Sequence, residues 1–432
     1  MKLWTKGLAA LALGVALATP ALAQEAATGA ATPNTEISGT ISVWTWPNND
    51  RTFAALMPTF NAAYPNITVN VQGFPNANDA YLNNLQRALL SGSGPDVAMI
   101  EIAQLALLRE RPQWVDLAQA PYNAGEFIED FAPFTVSNVT LPDGKIVALP
   151  KHTGPGGMFY RRDIFEEAGL PTDPAEVAEL LSDWDAFIEE GKKLVVPNER
   201  WLIGNGEEIL RAMIAQTGIS YFDAEGNLQF DQPVFREALE RVREAGEAGL
   251  ISPFTAWSPE WQGAFQRGQL ATVLYGNWFG GLLKRAYATD QSGQWAVAAA
   301  PGTEGNRSFN SGGDYIGILE TSQNKEAAWA FVHWLVTNDE SLKQQYQNDD
   351  LYPAYMPALE QDWMNFADPY YGEQNVNEIF APVQAELIPV ELDARDTVAI
   401  AAMRTAINNV ARGVATVDEA LAAAKAEVEA RM

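Results

Sequence analysis

The chain contains no cysteine and only 2 histidines in 432 residues. The first absence excludes a disulfide framework, a thiol nucleophile and a lipid-anchored cysteine at an export cleavage site. With His152 and His333 alone, a metal site built from nitrogen and sulfur ligands lacks donors, and no metal is expected. No G-x-S-x-G elbow, P-loop, H-E-x-x-H or other cofactor pattern occurs, so neither a cofactor nor a motif-bearing enzyme is expected. No apolar run approaches about 18 residues, which leaves no candidate membrane span. Positive charge is scarce as well. The 28 Lys+Arg face 55 Asp+Glu, and a formal net charge of −27 repels nucleic acid and anionic membrane.

What is present is enough apolar material for large cores: 47% of the chain is hydrophobic, and its length predicts two domains. Lys2 and Lys6, the apolar run from Leu8 to Ala18 and the Ala21-Leu22-Ala23 end predict a secretory signal peptide over residues 1–23. Residues 24–36 are small, polar and turn-forming, a flexible linker. Removing the first segment leaves 26 basic against 55 acidic residues, a formal charge of −29. An exported, soluble, monomeric protein of the periplasm is the expectation.

From Ile37 onward the pattern is α/β. "GTISVWTW" alternates as a strand, "DRTFAALMPTFNAAYP" places Phe53, Leu56, Met57 and Phe60 at helical spacing, and "NITVNVQGF" alternates again. "VAMIEI" has the nearly all-apolar character of a buried parallel strand. "DGKIVALPKHTGPGGMFYRRDIFEEAGLP" predicts two short extended stretches around a glycine-rich centre. "LSDWDAFIEEGKKL" opens with the capping pattern Ser182-x-x-Asp185. Ser258 and Pro259 form a helix start, followed by a strand from Ala271 to Tyr275. "NKEAAWAFVHWLVTNDESLKQQYQ" predicts a helix, and helices alternate with parallel-type strands throughout.

Several residues stand out from this frame. Trp44 and Trp46 share one face of the first strand, with Trp46 nearer the end that empties into Pro47, Asn48 and Asn49. "YGNWFGG" presents Trp278 between glycines, where a backbone can approach a ligand and leave the indole uncovered. Such a ring can stack on the C–H face of a sugar. Glu101 ends a strand, Asp314 follows two glycines, and His152 precedes a glycine-rich loop. His333 lies in an apolar helix and reads as structural, and Tyr370 and Tyr371 read as packing residues. Two of the many acids could in principle serve a secreted glycosidase.

"ISVWTW", "FNAAYPNITVNV", "SGSGPDVAMI", "ALPKHTGPGGMFYRRDIFEEAGLP", "FQRGQLATVLYGNWF", "GGDYIGILETSQNKEAAWAFVHWL" and "RTAINNVARGVATVDEAL" occur in order over residues 37 to about 425. In this the chain resembles the periplasmic carbohydrate-binding proteins of ABC importers, the family that includes maltose-binding protein. The resemblance implies a two-lobed periplasmic binding protein fold with a hinge and a central cleft. One lobe would hold 37–150 plus 316–352, the other 151–315 plus 353–432. It implies a carbohydrate ligand, a membrane permease as partner, and no catalysis. Ligand residues implied with it are Trp46, Asn48, Gln104, His152 with Thr153, Trp257, Trp278, Gly312, Gly313, Asp314, Tyr355 and Arg404, and Glu101 joins them from its place at the end of a strand. Ile400 and Ala401 stand where maltose-binding protein has an aromatic pair, and Asn48 and Asn49 where it has charges, which points away from maltodextrin. A polyamine or polyol is the alternative ligand, held by acids and aromatic walls.

Overall fold

The computed structural model describes residues 33–75 and 80–432. The expected signal peptide over 1–23 and most of the linker over 24–36 lie outside the described residues. Eight strands are β1 (Gly39–Thr45), β2 (Ile67–Gly73), β3 (Val97–Glu101), β4 (Leu149–Arg161), β5 (Thr272–Gly276), β6 (Trp295–Ala298), β7 (Asn310–Ile318) and β8 (Tyr352–Pro353). They run in the order β2-β1-β3-β7-β4-β5, with β6 and β8 attached to β4.

The pairing corrects the expectation of parallel strands throughout. β1 is parallel to β2 and β3, but β3–β7 and every pairing of β4 are antiparallel. The βαβ start reads correctly from the sequence, because the helix Asn49–Ala63 carries the chain from β1 back to a parallel neighbour. β7 arrives from a distant segment and runs the other way. Period-two alternation in β1 also holds, yet Val43 and Thr45 are fully buried while Trp44 and Trp46 are half-buried.

Local departures have local causes. The two expected stretches around Gly154 are one 13-residue strand, β4, buried along its whole length. A Cβ on Gly154 would sit 2.5 Å from the Ser311 carbonyl oxygen, so glycine there permits close strand approach rather than interrupting the strand. The helix Trp184–Gly191 is capped by the Asp183 carboxylate, which accepts from Ala186 N at 2.8 Å, and not by Ser182. The helix expected over 324–347 is two, Lys325–Thr337 and Asp339–Asp349, divided where Asn338 caps the second. Ser258 and Pro259 do start a helix, Pro259–Gln266, with the hydroxyl accepting from Trp261 N at 3.2 Å.

The apolar side chains gather into three clusters. The first takes residues from β1, β2 and β3, the segment up to Leu149, the Tyr315–Ile318 end of β7 with Leu319 after it, and the helix Lys325–Thr337. Its centre holds Phe53 and Phe60, packed edge-on to Phe331 at 5.9 and 5.3 Å. The second joins Met158 and Tyr160 of β4 to the helices between 162 and 247 and to the last two helices, as far as Val428. The third joins Phe159 of β4 to Trp261, Phe265, Tyr275, Phe279 and Trp295 and to the segment from Tyr346 to Phe380.

The chain passes between the first cluster and the others along β4, along β7 and around β8. Tyr346 and Tyr352 pack with the third cluster, whereas Ala354 and Tyr355 pack with the first. Leu392, in the segment joining the helices Asn377–Ala385 and Asp396–Ala411, also rests on the first cluster.

Candidate functional site

The three crossings meet at one place. In the sheet, His152 stands opposite both Asp314 of β7 and Pro353 of β8, and Glu101 at the end of β3 stands opposite Asp314. His152 Nδ1 lies 2.6 Å from Asp314 Oδ1, and Lys151 Nζ lies 3.6 Å from the same oxygen. Burial pulls His152 below its ordinary pKa, and Lys151 adds to that, while Asp314 opposes it. Thr153 Oγ1 donates to Gln384 Oε1 at 2.7 Å, tying β4 to the helix Asn377–Ala385.

On the far side of this junction an aromatic ledge is built from two tryptophans. Trp278 follows β5 and donates its indole N–H to Ser311 O at 2.6 Å. A Cβ on Gly312, whose φ is +106°, would come within 2.8 Å of that indole nitrogen, and one on Gly276 within 2.6 Å. The glycines therefore make the seat on which the half-buried indole lies. Trp257 is nearly parallel to Trp278, at an interplanar angle of 18° and 6.1 Å between centroids, and it is 43% exposed.

Trp257 also has φ +67°, the left-handed region that a bulky L-residue occupies only under strain. Strain of this kind, held by surrounding structure at an exposed aromatic, points to function. Trp257→Gly should therefore be more stable than Trp257→Ala by about 1 kcal/mol in urea unfolding, since only alanine keeps the strain. Both variants should lose ligand affinity alike in calorimetry.

Beneath the ledge lies a buried carboxylate. Glu208 Oε1 accepts from Gly204 N and Asn205 N at 3.1 Å, and Oε2 from Leu274 N at 2.8 Å. Arg211 lies 4.1 Å from the Tyr275 ring centroid and caps this cluster. Burial pushes Glu208 up to about 7 against these hydrogen bonds, and burial pushes Asp350 and Asp396 up to about 6. A carboxyl whose folded pKa is raised contributes stability that is complete below its unfolded value and lost as pH rises through the folded one. Between pH 5 and 8 these carboxyls should weaken the protein with rising pH, by about 3 kcal/mol from Glu208 alone, while His152 and His333, both held below the ordinary imidazole value by burial, act in the opposite direction below about pH 6.5. Urea midpoints at pH 5.5 and 8 check the sign, and Glu208→Gln should flatten the profile.

The remaining expected residues fall in different places. Trp46 is half-buried, edge-on to Tyr81 at 5.5 Å, whose hydroxyl bonds Met99 O at 2.7 Å. Trp44 faces outward instead, into a surface pocket with Gln72, Phe74, Asn84, Arg87 and Ser93. Asn48 takes φ +82° before the helix Asn49–Ala63, and its carbonyl accepts from Thr52 N at 3.0 Å. Gln104 is buried in the short helix Ile102–Leu108, and its Oε1 has no hydrogen-bond partner among the described residues. Gly313 has φ +122°, where a Cβ would sit 3.0 Å from the His152 carbonyl oxygen.

Tyr355 lies against Phe131 at 5.3 Å. Arg404 is 56% exposed and donates from Nε to Glu207 Oε1 at 2.7 Å, on the face of its helix turned away from Met403 and Ile407 in the second cluster. That helix, Asp396–Ala411, touches the helix Ile102–Leu108 that carries Gln104. His333 and Tyr371 are drawn into packing: His333 stands edge-on to Phe127, and Tyr371 is buried in the third cluster. Lys151, which shares Asp314 with His152, carries no signal in the sequence. Alternation would place it on the opposite face from His152.

A family model for the bacterial extracellular solute-binding protein matches residues 45–341. The lactose-binding protein of Rhizobium radiobacter is 28% identical over 359 residues, covering 80% of this chain and 82% of that protein. The arabinooligosaccharide-binding protein of Halalkalibacterium halodurans is 24% identical over 404 residues, 88% of this chain and 86% of that one. A crystal structure of an extracellular solute-binding protein of family 1 superposes with a TM-score of 0.75 at 25% identity, covering 90% of this chain and 99% of that one. The ABC transporter associated binding protein of B. animalis subsp. lactis, in complex with beta-1,6-galactobiose, gives 0.74 at 24% identity, covering 90% and 96%.

Proposed function

Since the chain belongs to the bacterial extracellular solute-binding protein family, we propose that it captures a mono- to oligosaccharide or small glycoside between its lobes and delivers it unchanged to an ABC importer. The near-parallel Trp257 and Trp278, one strained and exposed and the other seated on glycines, carry this reading. Indoles so placed offer flat apolar area to the C–H face of a pyranose. Across the junction of strands, Asp314, His152, Glu101 and Gln104 supply the polar groups that orient hydroxyls. The ligand then touches groups on both sides of the three crossings, so its binding favours the closed arrangement of two lobes hinged there. Export by the segment 1–23 would bring the monomeric protein to the periplasm, beside the permease in the inner membrane.

The relatives named for sugars guide the choice of probes. Thermal-shift measurements with lactose, arabino-oligosaccharides, β-1,6-galactobiose, sorbitol and spermidine, followed by calorimetry, test the class directly, because a native-state ligand raises the melting temperature. A sugar that stabilises the protein and is recovered intact supports the reading. Stabilisation by spermidine alone would reassign the ligand, and sugar turnover would make the protein a glycosidase.

A further inference from the structure

The register of β4 against β7 has an irregularity at the junction of the lobes. Leu149 and Pro150 face Ile316 and Tyr315, but the next residue of β7, Asp314, faces His152. Lys151 is therefore the extra residue of a β-bulge, the device by which two consecutive residues of one strand come to oppose one of its partner. Both side chains reach Asp314 Oδ1 for that reason, at 3.6 and 2.6 Å. The Lys151 side chain is fully buried, its Nζ makes no hydrogen bond among the described residues, and it lies 6.0 Å from the Phe53 ring centroid.

An ammonium sealed there is costly unless it is paired, and the carboxylate it faces is already engaged by an imidazole. A carboxylate can only accept, so the imidazole nitrogen beside it must carry the proton. That leaves His152 Nε2 as a lone-pair acceptor while the ring is neutral. Neither Nε2 nor Asp314 Oδ2 has a partner among the described residues, and the two side chains keep 8% and 2% of their surface exposed.

We infer that Lys151 is a positioning residue of the ligand site: it pairs with Asp314 and holds His152 as the neutral Nδ1–H tautomer. Two adjacent acceptors, Asp314 Oδ2 and His152 Nε2, are thereby presented to a vicinal diol. The inference rests on the sugar-binding reading for its ligand, and on the bulge alone for its chemistry. It adds a selection rule: donors are accepted at this end, and a carboxylate or sulfonate on the ligand is rejected by two acceptors.

The groups facing His152 set its proton. Burial disfavours the imidazolium most strongly, Asp314 on β7 favours it, and Lys151 on the same strand as His152 disfavours it with the smallest effect of the three. Glu101 of β3 stands beside Asp314 in register, and Asp349, at the end of the helix Asp339–Asp349, feels the Lys151 charge from the other side. Removing the ammonium takes away one of the two influences against the imidazolium and leaves burial alone to oppose Asp314, so the His152 midpoint should rise, the added proton falling on the nitrogen that should accept.

With only 2 histidines in the chain, nitrogen-15 NMR of the imidazoles reads this directly, His333→Gln assigning the signals. In the wild-type chain at pH 7, His152 should show one proton, on Nδ1. In Lys151→Met its titration midpoint should move to higher pH, while His333 keeps its own. Lactose serves as the probe ligand in calorimetry, with an expected weakening of about tenfold in the variant at pH 7, the loss of one good hydrogen bond.

A proton on Nε2 in the wild-type chain overturns the inference even if the variant does not fold. A folded variant with an unmoved His152 midpoint overturns it too. Should lactose leave the wild-type protein untouched while both histidine results hold, lactose fails as ligand and the role of Lys151 stands.

Discussion

Trp278→Ala is expected to weaken sugar binding by thirtyfold or more in calorimetry, about 2 kcal/mol or above, while the protein stays folded. The indole is half-buried, so its removal takes little from the core, and the third cluster keeps Tyr275, Phe279 and Trp261. What goes is the ledge. Without Trp278 the Ser311 carbonyl loses its donor, and Trp257 loses the near-parallel partner at 6.1 Å. Gly312→Ala should reproduce much of the loss from the opposite side. Its Cβ would press on the indole nitrogen at 2.8 Å, and φ +106° is unfavourable for alanine. Equal affinities for wild type and Trp278→Ala would remove the stacking platform from the account.

Lys284→Met should be the most damaging substitution for stability, costing about 3–5 kcal/mol at pH 8 in urea unfolding. Lys284 Nζ lies 2.7 Å from Asp350 Oδ1 and 2.5 Å from Asp368 Oδ2, and both carboxylates are nearly inaccessible. Tyr371 OH donates to Asp350 Oδ2 at 3.0 Å, and its ring centroid lies 4.8 Å from the ammonium. Methionine fills the volume of the side chain but leaves two buried carboxylates facing each other. Burial already raises Asp350 to about 6, and the Lys284 charge is what opposes that rise. In the variant one carboxyl must take a proton, so the destabilisation should shrink markedly at pH 5. A cost independent of pH would show that packing, not charge, is what Lys284 supplies.

How far the sequence foretells the structure depends on the range of the interaction. The βαβ opening and the Ser258–Pro259 start are local patterns of period and cap, and they are found where expected. The antiparallel entry of β7 is not local, since Asn310 and Pro155 are brought together only by the folded second part of the chain. The bulge at Lys151 is invisible to period-two counting for the same reason: it exists only relative to β7. Trp44 shows another limit, because alternation groups Trp44 with Trp46 but cannot say that one meets Tyr81 and the other a surface pocket. Arg404 sits at helical spacing from buried residues, yet its partner Glu207 lies on a helix nearly 200 positions earlier.

The contact of Leu392 with the first cluster has a consequence in the time domain. Leu392 belongs to a segment strung between helices whose buried faces lie in the other two clusters, so separating the lobes must return this side chain to water. If ligand is captured by closure of the lobes, as proposed, this contact weights the unliganded molecule toward its shut form, and an arriving molecule is productive only during the open fraction. The observed association constant is the intrinsic one scaled by that fraction. Once ligand is inside, the same side chain delays reopening. On that reading, residence time would be lengthened by a residue that need never touch what is carried.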